Sequence, residues 1–124
     1  MDVIKIKGTD DTPNIILDAE NNIIEFSGRS LPEDVVTFYA PAIQWIEEYA
    51  KNPNPKTNVI FRLEYFNTAS SKAILDILLK FEDIHNEGNE VTIFWYYQED
   101  DEDMLEAGEE YSEIVDIPFE MHSY

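Results

Sequence analysis

The segment from Asn58 to His85 constrains the fold more than any other part of the chain, because the spacing of its apolar residues changes once along its length. From Val59 to Tyr65 every second residue is apolar and belongs to one face, which predicts a strand with a buried side. Beyond Ser71 the apolar residues recur at intervals of three and four, which is typical of a helix with one buried stripe. That stripe consists of Ile74, Ile77, Leu78, Phe81 and Ile84. We therefore predict a strand, a five-residue turn from Asn67 to Ser71, and a long amphipathic helix.

Three hydroxyl side chains, those of Thr68, Ser70 and Ser71, occur where this helix is predicted to begin. Ser and Thr are common there because their side-chain oxygen accepts a hydrogen bond from a free backbone N–H, and loss of such a cap typically costs ~1 kcal/mol. The same free N–H groups and the positive end of the helix dipole also favour an anion, by ~0.3–1 kcal/mol. A cap needs one hydroxyl, so capping and phosphorylation both stay open at this point.

The rest of the chain alternates between strand and helix patterns after a leading hairpin. The other predicted strands are Val3–Lys7, Ile15–Leu17, Ile23–Phe26, Val91–Tyr97 and Ile117–Met121, and Gly28 is expected to end the sheet segment after the hairpin. This alternation favours an α/β layer fold with a mixed sheet and crossover helices. Because Glu25, Arg62, Glu64 and Thr92 lie opposite the apolar strand faces, we expect the helices to leave one face of the sheet partly open.

Two further helices are predicted, one on each side of the central unit. The first begins with Ser30 or Leu31 as its cap, runs to about Lys51, and is interrupted by Pro41, which removes a backbone hydrogen bond and bends the helix. The second follows the acidic run Glu99–Asp103. Its packing residues are expected to be Met104, Leu105, Ala107, Tyr111 and Ile114.

The composition excludes several classes of protein. The chain has 124 residues, 44% of them hydrophobic, which suffices for one domain with a core, and it has no cysteine for disulfides, thiolate zinc sites or iron–sulfur clusters. Its 27 acidic and 8 basic side chains give a net charge of −19, which repels phosphate backbones and anionic lipid. No apolar stretch approaches the ~20 residues of a membrane span. We therefore expect a cytoplasmic protein with neither nucleic acid nor a membrane as a partner.

Few residues could carry catalysis or hold a cofactor. The two histidines, His85 and His122, lie near a helix end and near the C-terminus, and the four glycines fit no phosphate-binding loop. We predict no catalytic residue, no cofactor and no metal ligand. The acidic run Glu99–Asp103 lacks the spacing of a calcium loop, which favours a solvated or partner-docking surface. A small metal-dependent enzyme that uses the acidic C-terminal third is the alternative from a different functional class.

Five short motifs distributed over nearly the whole chain resemble those of one bacterial family, the SiaC family of regulatory phosphoproteins. The most specific of them is the end of the central strand, where Asn67, Thr68, Ser70, Ser71 and Lys72 stand together. The motifs are Ser30-x-Pro32-Glu33, Phe38-Tyr39-x-Pro41, Trp45-Ile46-x-x-Tyr49, Tyr65-Phe66-Asn67-Thr68-x-Ser70-Ser71-Lys72 and Met104-x-Glu106-x-Gly108-Glu109.

The resemblance implies a single SiaC-type domain over residues 1–124, with a fold like the sulfate-transporter and anti-sigma-factor-antagonist (STAS) domains. It implies that Thr68 is phosphorylated by a cognate protein kinase and restored by a serine/threonine phosphatase. One phosphorylation state would bind and activate a diguanylate cyclase, which connects the chain to cyclic-di-GMP signalling and biofilm control. The expected partner contacts around Thr68 are Tyr65, Phe66, Asn67, Ser70, Ser71 and Lys72. An anti-sigma-factor antagonist that controls transcription is the alternative within the same class.

Overall fold

Six strands and three helices make up the computed structural model, which describes residues 1–124. In chain order they are β1 (Ile4–Ile6), β2 (Asn14–Asp18), β3 (Ile23–Ser30), α1 (Val35–Tyr49), β4 (Lys56–Phe66), α2 (Thr68–Asn86), β5 (Glu90–Tyr97), α3 (Glu102–Ile114) and β6 (Phe119–Ser123). Every predicted strand and helix exists, although the ends differ by a few residues. No helix of the structure has the length and apolar character that a membrane crossing requires.

The strands form one six-stranded sheet whose spatial order is the order of the sequence, β1 to β6. The first three strands pair antiparallel, and β3, β4, β5 and β6 pair parallel. A helix connects each parallel pair, because a chain that leaves one end of the sheet needs a crossover to re-enter at the other. The predicted α/β layer fold with a mixed sheet and crossover helices is therefore confirmed.

The core lies between the three helices and one face of the sheet. Across three neighbouring parallel strands, Phe26, Phe61 and Trp95 stand side by side, with ring centroids 4.9 Å and 5.4 Å apart. The predicted stripe of α2 is buried against this face throughout. Arg62 on the opposite face is exposed and Glu25 is only half-buried, which confirms that helices cover one side of the sheet better than the other.

Gly28 does not end the sheet segment, contrary to the sequence-based expectation. Strand β3 continues to Ser30, and its pairing with β4 shifts register between Gly28 and Arg29. The backbone of Gly28 has φ +94°, a conformation that glycine adopts without the strain a side chain would bring. The strand therefore contains an irregularity of the kind that a bulge produces, and it carries Ser30 further along the sheet than predicted.

Helix α1 begins later than the sequence suggested. Its N-cap is Asp34, not Ser30 or Leu31: the Asp34 carboxylate accepts hydrogen bonds from the Thr37 N–H at 3.1 Å and the Thr37 hydroxyl at 2.8 Å. These two bonds hold the pKa of Asp34 below its ordinary value. The helix ends at Tyr49 instead of Lys51, and it runs through Pro41 without a break.

Two residues that the sequence assigned to the core lie at the surface. Tyr65, near the end of β4, is 45% exposed, with the guanidinium of Arg29 5.5 Å from its ring centroid. Ile114 is the last residue of α3 and is 58% exposed, because the chain leaves the helix there and buries Val115 and Ile117 instead. Both errors fall at element ends, where the periodicity of the element no longer determines which side chains are covered.

Candidate functional site

The candidate site is the junction where β4 passes into α2. The predicted five-residue turn from Asn67 to Ser71 is wrong, because α2 begins at Thr68, directly after a single cap residue, Asn67. The Asn67 side-chain oxygen accepts a 2.8 Å hydrogen bond from the Ser70 N–H, which is the standard geometry of an N-cap. None of the three hydroxyls is therefore needed to cap the helix.

Ser70 is a structural residue at this junction. Its side chain is fully buried, and its hydroxyl donates to the Ser30 carbonyl at 2.9 Å while accepting from the Ser30 hydroxyl at 2.8 Å. The Ser30 hydroxyl donates its only proton to Ser70. The Tyr39 hydroxyl is therefore the donor in the 2.5 Å hydrogen bond between Tyr39 and Ser30. Burial raises the pKa of Tyr39 above its ordinary value. This buried network, Tyr39, Ser30 and Ser70, joins α1, β3 and α2.

Ser71 also forms hydrogen bonds within the protein. Its hydroxyl donates to the carbonyl of Thr68 at 2.6 Å, and its own carbonyl accepts a 2.7 Å hydrogen bond from the Tyr111 hydroxyl of α3. Burial holds the pKa of Tyr111 well above its ordinary value, so this phenol keeps its proton and goes on donating in alkaline solution as well. The first turn of α2 is thus tied to β3 on one side and to α3 on the other.

Thr68 differs from both serines. Its side chain is exposed, and its hydroxyl makes no hydrogen bond within the protein. Lys72, one helical turn later, lies on the same side of α2 and is also exposed. The junction therefore presents one free hydroxyl at the N-terminal end of a well-anchored helix.

The other predicted contact residues come together at this junction but are not equally accessible. Tyr65 and Lys72 are exposed, and Asn67 and Ser71 are half-buried. The Phe66 ring is half-buried and faces inward, with its centroid 6.4 Å from those of both Trp95 and Tyr111. Ser70 is the one predicted contact residue with no accessible side chain.

Sequence reasoning missed Ser30, Tyr39 and Tyr111 as parts of the site. Ser30 and Ser70, like Tyr111 and Ser71, are separated by 40 residues, so no local spacing could reveal that they bond. The spacing of Tyr39 and Tyr111 is that of ordinary residues on apolar helix faces. A sequence pattern does not show where a phenol hydroxyl points. The one available signal was an excess of hydroxyl residues at the ends of two neighbouring strands.

The acidic run borders the junction, where Asp101 and Asp103 line a pocket together with Tyr65 and Phe66. Asp101 caps α3 by accepting from the Met104 N–H at 3.0 Å. His85 lies in the last turn of α2, at the opposite end from Thr68, and His122 stacks on Phe94 and Tyr96 in the open face of the sheet. The structure contains no group of three or more His, Asp or Glu side chains placed to hold a metal ion.

Known proteins resemble the chain along its whole length. A family model described as SiaC family regulatory phosphoprotein matches residues 6–124. An uncharacterized protein of Pseudomonas aeruginosa (strain UCBPP-PA14) is 32% identical over 124 residues, which cover 100% of this chain and 98% of that protein.

Solved structures agree with this match. The structure of SiaC of Pseudomonas aeruginosa superposes with a TM-score of 0.91 at 31% identity and covers 100% of both chains. A crystal structure of the diguanylate cyclase SiaD in complex with its activator SiaC, also from Pseudomonas aeruginosa, gives a TM-score of 0.90 at 31% identity, with 98% of this chain and 99% of the other covered.

Proposed function

Because this chain belongs to the SiaC family of regulatory phosphoproteins, we propose that it is a non-enzymatic signalling switch whose state is set by phosphorylation of Thr68. The observation that carries the proposal is the contrast among the three hydroxyls of the β4–α2 junction. Ser70 is buried and doubly hydrogen-bonded, and Ser71 donates to a backbone carbonyl, whereas Thr68 is exposed and unpaired. A kinase can reach the Thr68 hydroxyl without opening the fold.

The local electrostatics suit a phosphate at this position. The first N–H groups of an α-helix have no partner within the helix, and the helix dipole places partial positive charge at the same end. Lys72 adds a full positive charge one turn away, on the same side of α2. A phosphate on Thr68 therefore meets favourable charge and leaves the buried bonds of Ser70 undisturbed.

The partner that we propose is a diguanylate cyclase, through which the chain would act on cyclic-di-GMP signalling and biofilm formation. The support is that SiaC of Pseudomonas aeruginosa, 31% identical to this chain, is the activator in a complex with the cyclase SiaD. Tyr65 and Lys72 are the exposed neighbours of Thr68 available for direct contact. We assign Asn67, Phe66, Ser70 and Ser71 to shaping this contact surface from beneath, since their side chains are half-buried or buried.

The reversible cycle requires two further partners, a cognate protein kinase and a serine/threonine phosphatase. Phosphopeptide mapping after incubation with the kinase tests the site, using the wild-type chain, Thr68→Ala and Ser71→Ala. We expect one phosphate per chain on Thr68 in the wild type and in Ser71→Ala, and none in Thr68→Ala. Stoichiometric phosphate on a serine of Thr68→Ala would show that the assignment is wrong.

Partner identity needs a separate experiment. The unmodified chain and its Thr68→Asp form serve as baits, and the proteins that co-purify with only one of them are identified by mass spectrometry. We expect a diguanylate cyclase, which calorimetry with the purified cyclase then verifies. Recovery of an anti-sigma factor instead would assign the chain to transcriptional partner switching.

A further inference from the structure

One face of the sheet has no helix on it. Strands β3 to β6 are parallel and adjacent in chain order, so right-handed crossovers place α1, α2 and α3 on the same side. Parallel strands normally have both faces covered. Here the uncovered side carries large apolar side chains, each half-buried, which are Ile16, Ile60, Phe94 and Tyr96. We call this side the open face.

The aromatic side chains of the open face are held in fixed positions. His122 stacks on both Phe94 and Tyr96, with ring centroids 6.0 Å and 5.2 Å apart. The guanidinium of Arg62 lies 4.4 Å from the ring centroid of Tyr96 and 5.5 Å from that of Tyr124. Arg62 forms no ion pair within the chain. An ordered apolar surface loses little conformational entropy when a partner covers it, which is typical of a binding surface.

The open face is nearly neutral in a chain whose net charge is −19. By strand alternation, its cations are Lys5, Lys56 and Arg62. Its carboxylates are Asp18, Glu25, Glu64, Glu90 and Glu120. Three positive and five negative charges leave −2 on this side, so most of the net charge lies elsewhere on the protein. A second acidic chain therefore meets less repulsion here than on the helix layer.

The charges of the open face are arranged so that the face is complementary to itself. One row of paired residues crosses all six strands, with the cation Lys5 on β1 at one end and the carboxylate Glu120 on β6 at the other. If two copies meet about a two-fold axis parallel to the strands, Lys5 of each copy faces Glu120 of the other. In the same row Ile16 faces Phe94. A two-fold axis across the strands would instead oppose Lys5 to Lys5, which like-charge repulsion disfavours.

The size of the open face suits an interface between two copies. Six strands spaced by ~4.8 Å give a width of about 29 Å, and the longer strands rise by ~3.3 Å per residue over about 20 Å. The face thus offers about 600 Å² in projection and more as the accessible surface of its side chains. This approaches the ~800 Å² that each partner contributes to a standard interface.

We propose that two copies of the chain associate through their open faces in a two-fold dimer, with Lys5 of each copy against Glu120 of the other. The two sheets would pack about 10 Å apart, as in a β-sandwich. Helix α2, which begins at Thr68, lies on the other side of the sheet, so the dimer leaves both Thr68 hydroxyls accessible. The dimer does not depend on the proposed function.

Sedimentation equilibrium of the purified chain tests the association. As the concentration rises from about 1 μM to 1 mM, the mass should increase from the 14.4 kDa of one chain towards twice that value. Added salt should strengthen the dimer, because it screens the repulsion between two chains that each carry −19. A mass that stays at one chain over the whole range, at low and at high salt, would overturn the proposal.

A charge exchange tests the arrangement. Lys5→Glu and Glu120→Lys should each weaken the dimer by at least about fivefold, because each places like charges together twice in the dimer. The double variant should restore the wild-type Kd to within about threefold. All three should remain folded in thermal unfolding, since both side chains are exposed.

Glu109→Lys is the matched control, because it changes the net charge as Glu120→Lys does, but on the exposed surface of α3. It should leave the dimer unchanged or strengthen it slightly, since the net charge falls in magnitude. A dimer that Glu120→Lys strengthens as Glu109→Lys does would show that only net charge matters and would overturn the arrangement. A double variant as weak as the single variants would overturn it as well.

Discussion

The Ser70 hydroxyl donates a 2.9 Å hydrogen bond to the carbonyl oxygen of Ser30, which also accepts a 3.1 Å bond from the Asn67 N–H. One oxygen at the end of β3 thus fixes both the cap residue and the first turn of α2. Because Thr68 lies between these two anchored residues in the chain, its free hydroxyl is presented by a backbone that cannot easily move. Chemistry at Thr68 can therefore change the surface without changing the fold.

Thr68 and Ser70 should consequently respond to substitution in opposite ways. Ser70→Ala leaves the buried Ser30 hydroxyl without its acceptor and should lower the free energy of unfolding by ~1–3 kcal/mol. Thr68→Val keeps the shape of an exposed side chain whose hydroxyl has no hydrogen bond, so it should change the free energy of unfolding by no more than about 0.5 kcal/mol. Urea unfolding of both variants checks this, and a collapsed Thr68→Val with an unaffected Ser70→Ala would mean that the roles are reversed.

Gly108 illustrates a second close contact, between α3 and β5. A Cβ atom at this position would lie 2.6 Å from Trp95 Nε1, and that indole is fully buried and donates to the Met104 carbonyl at 2.9 Å. Gly108→Ala should destabilise the protein by ~1–3 kcal/mol despite the better helix propensity of alanine. Glu109→Ala, at the exposed next position, is the control and should stay within about 0.5 kcal/mol. Equal thermal stability of the two variants would argue against this packing.

The sequence predicted the layers of the fold because they depend on periodicity, which is a local property. The stripe of α2 from Ile74 to Ile84 is buried, and the alternation of β4 correctly placed Val59, Phe61 and Leu63 in the core. Periodicity also identified the mixed sheet, since each parallel strand pair needs a helix between its members. These features require no knowledge of which side chains meet across the molecule.

The details of the junction depend on distant contacts and could not be predicted in the same way. Asn, Ser and Thr cap helices about equally well, so the sequence could not distinguish Asn67 from the neighbouring hydroxyls. Asn67 becomes the cap because the carbonyl of Ser30, which is 40 residues from Ser70 in the chain, accepts the Ser70 hydroxyl and holds Ser70 within the helix. Because Asn67 is the cap, the Thr68 hydroxyl is left without a hydrogen-bond partner. The residues alone do not show this, so they left capping and phosphorylation open.

Two buried phenols should make the protein sensitive to alkali. Burial raises the pKa values of Tyr39 and Tyr111 above that of an unfolded tyrosine. A raised pKa in the folded state means that folding favours the protonated phenol, so this contribution to stability is complete below about pH 10 and is lost as the pH rises beyond it. The double variant Tyr39→Phe, Tyr111→Phe should be less stable at pH 7, by ~1 kcal/mol per lost hydrogen bond. In denaturant unfolding, the free energy of unfolding of the double variant should fall less steeply above about pH 10 than that of the wild type. An equal slope in the two proteins would contradict the raised pKa values of the two tyrosines.

Phosphorylation of Thr68 should weaken cyclase binding through local contact and not through net charge. A phosphate adds about −1.5 to −2 charges, which is little beside −19, and its field is screened within about 8 Å at physiological salt. In a dehydrated contact, Lys72 supplies one positive charge against a phosphate of nearly two negative charges, and without a cation from the cyclase the uncompensated charge costs roughly 3–5 kcal/mol. At ~1.4 kcal/mol per tenfold, the Kd rises by about two to three and a half orders of magnitude. Calorimetry of both forms at low and high salt decides the matter: a loss that survives high salt supports the local mechanism, whereas unchanged or tighter binding would reverse the sign of the switch.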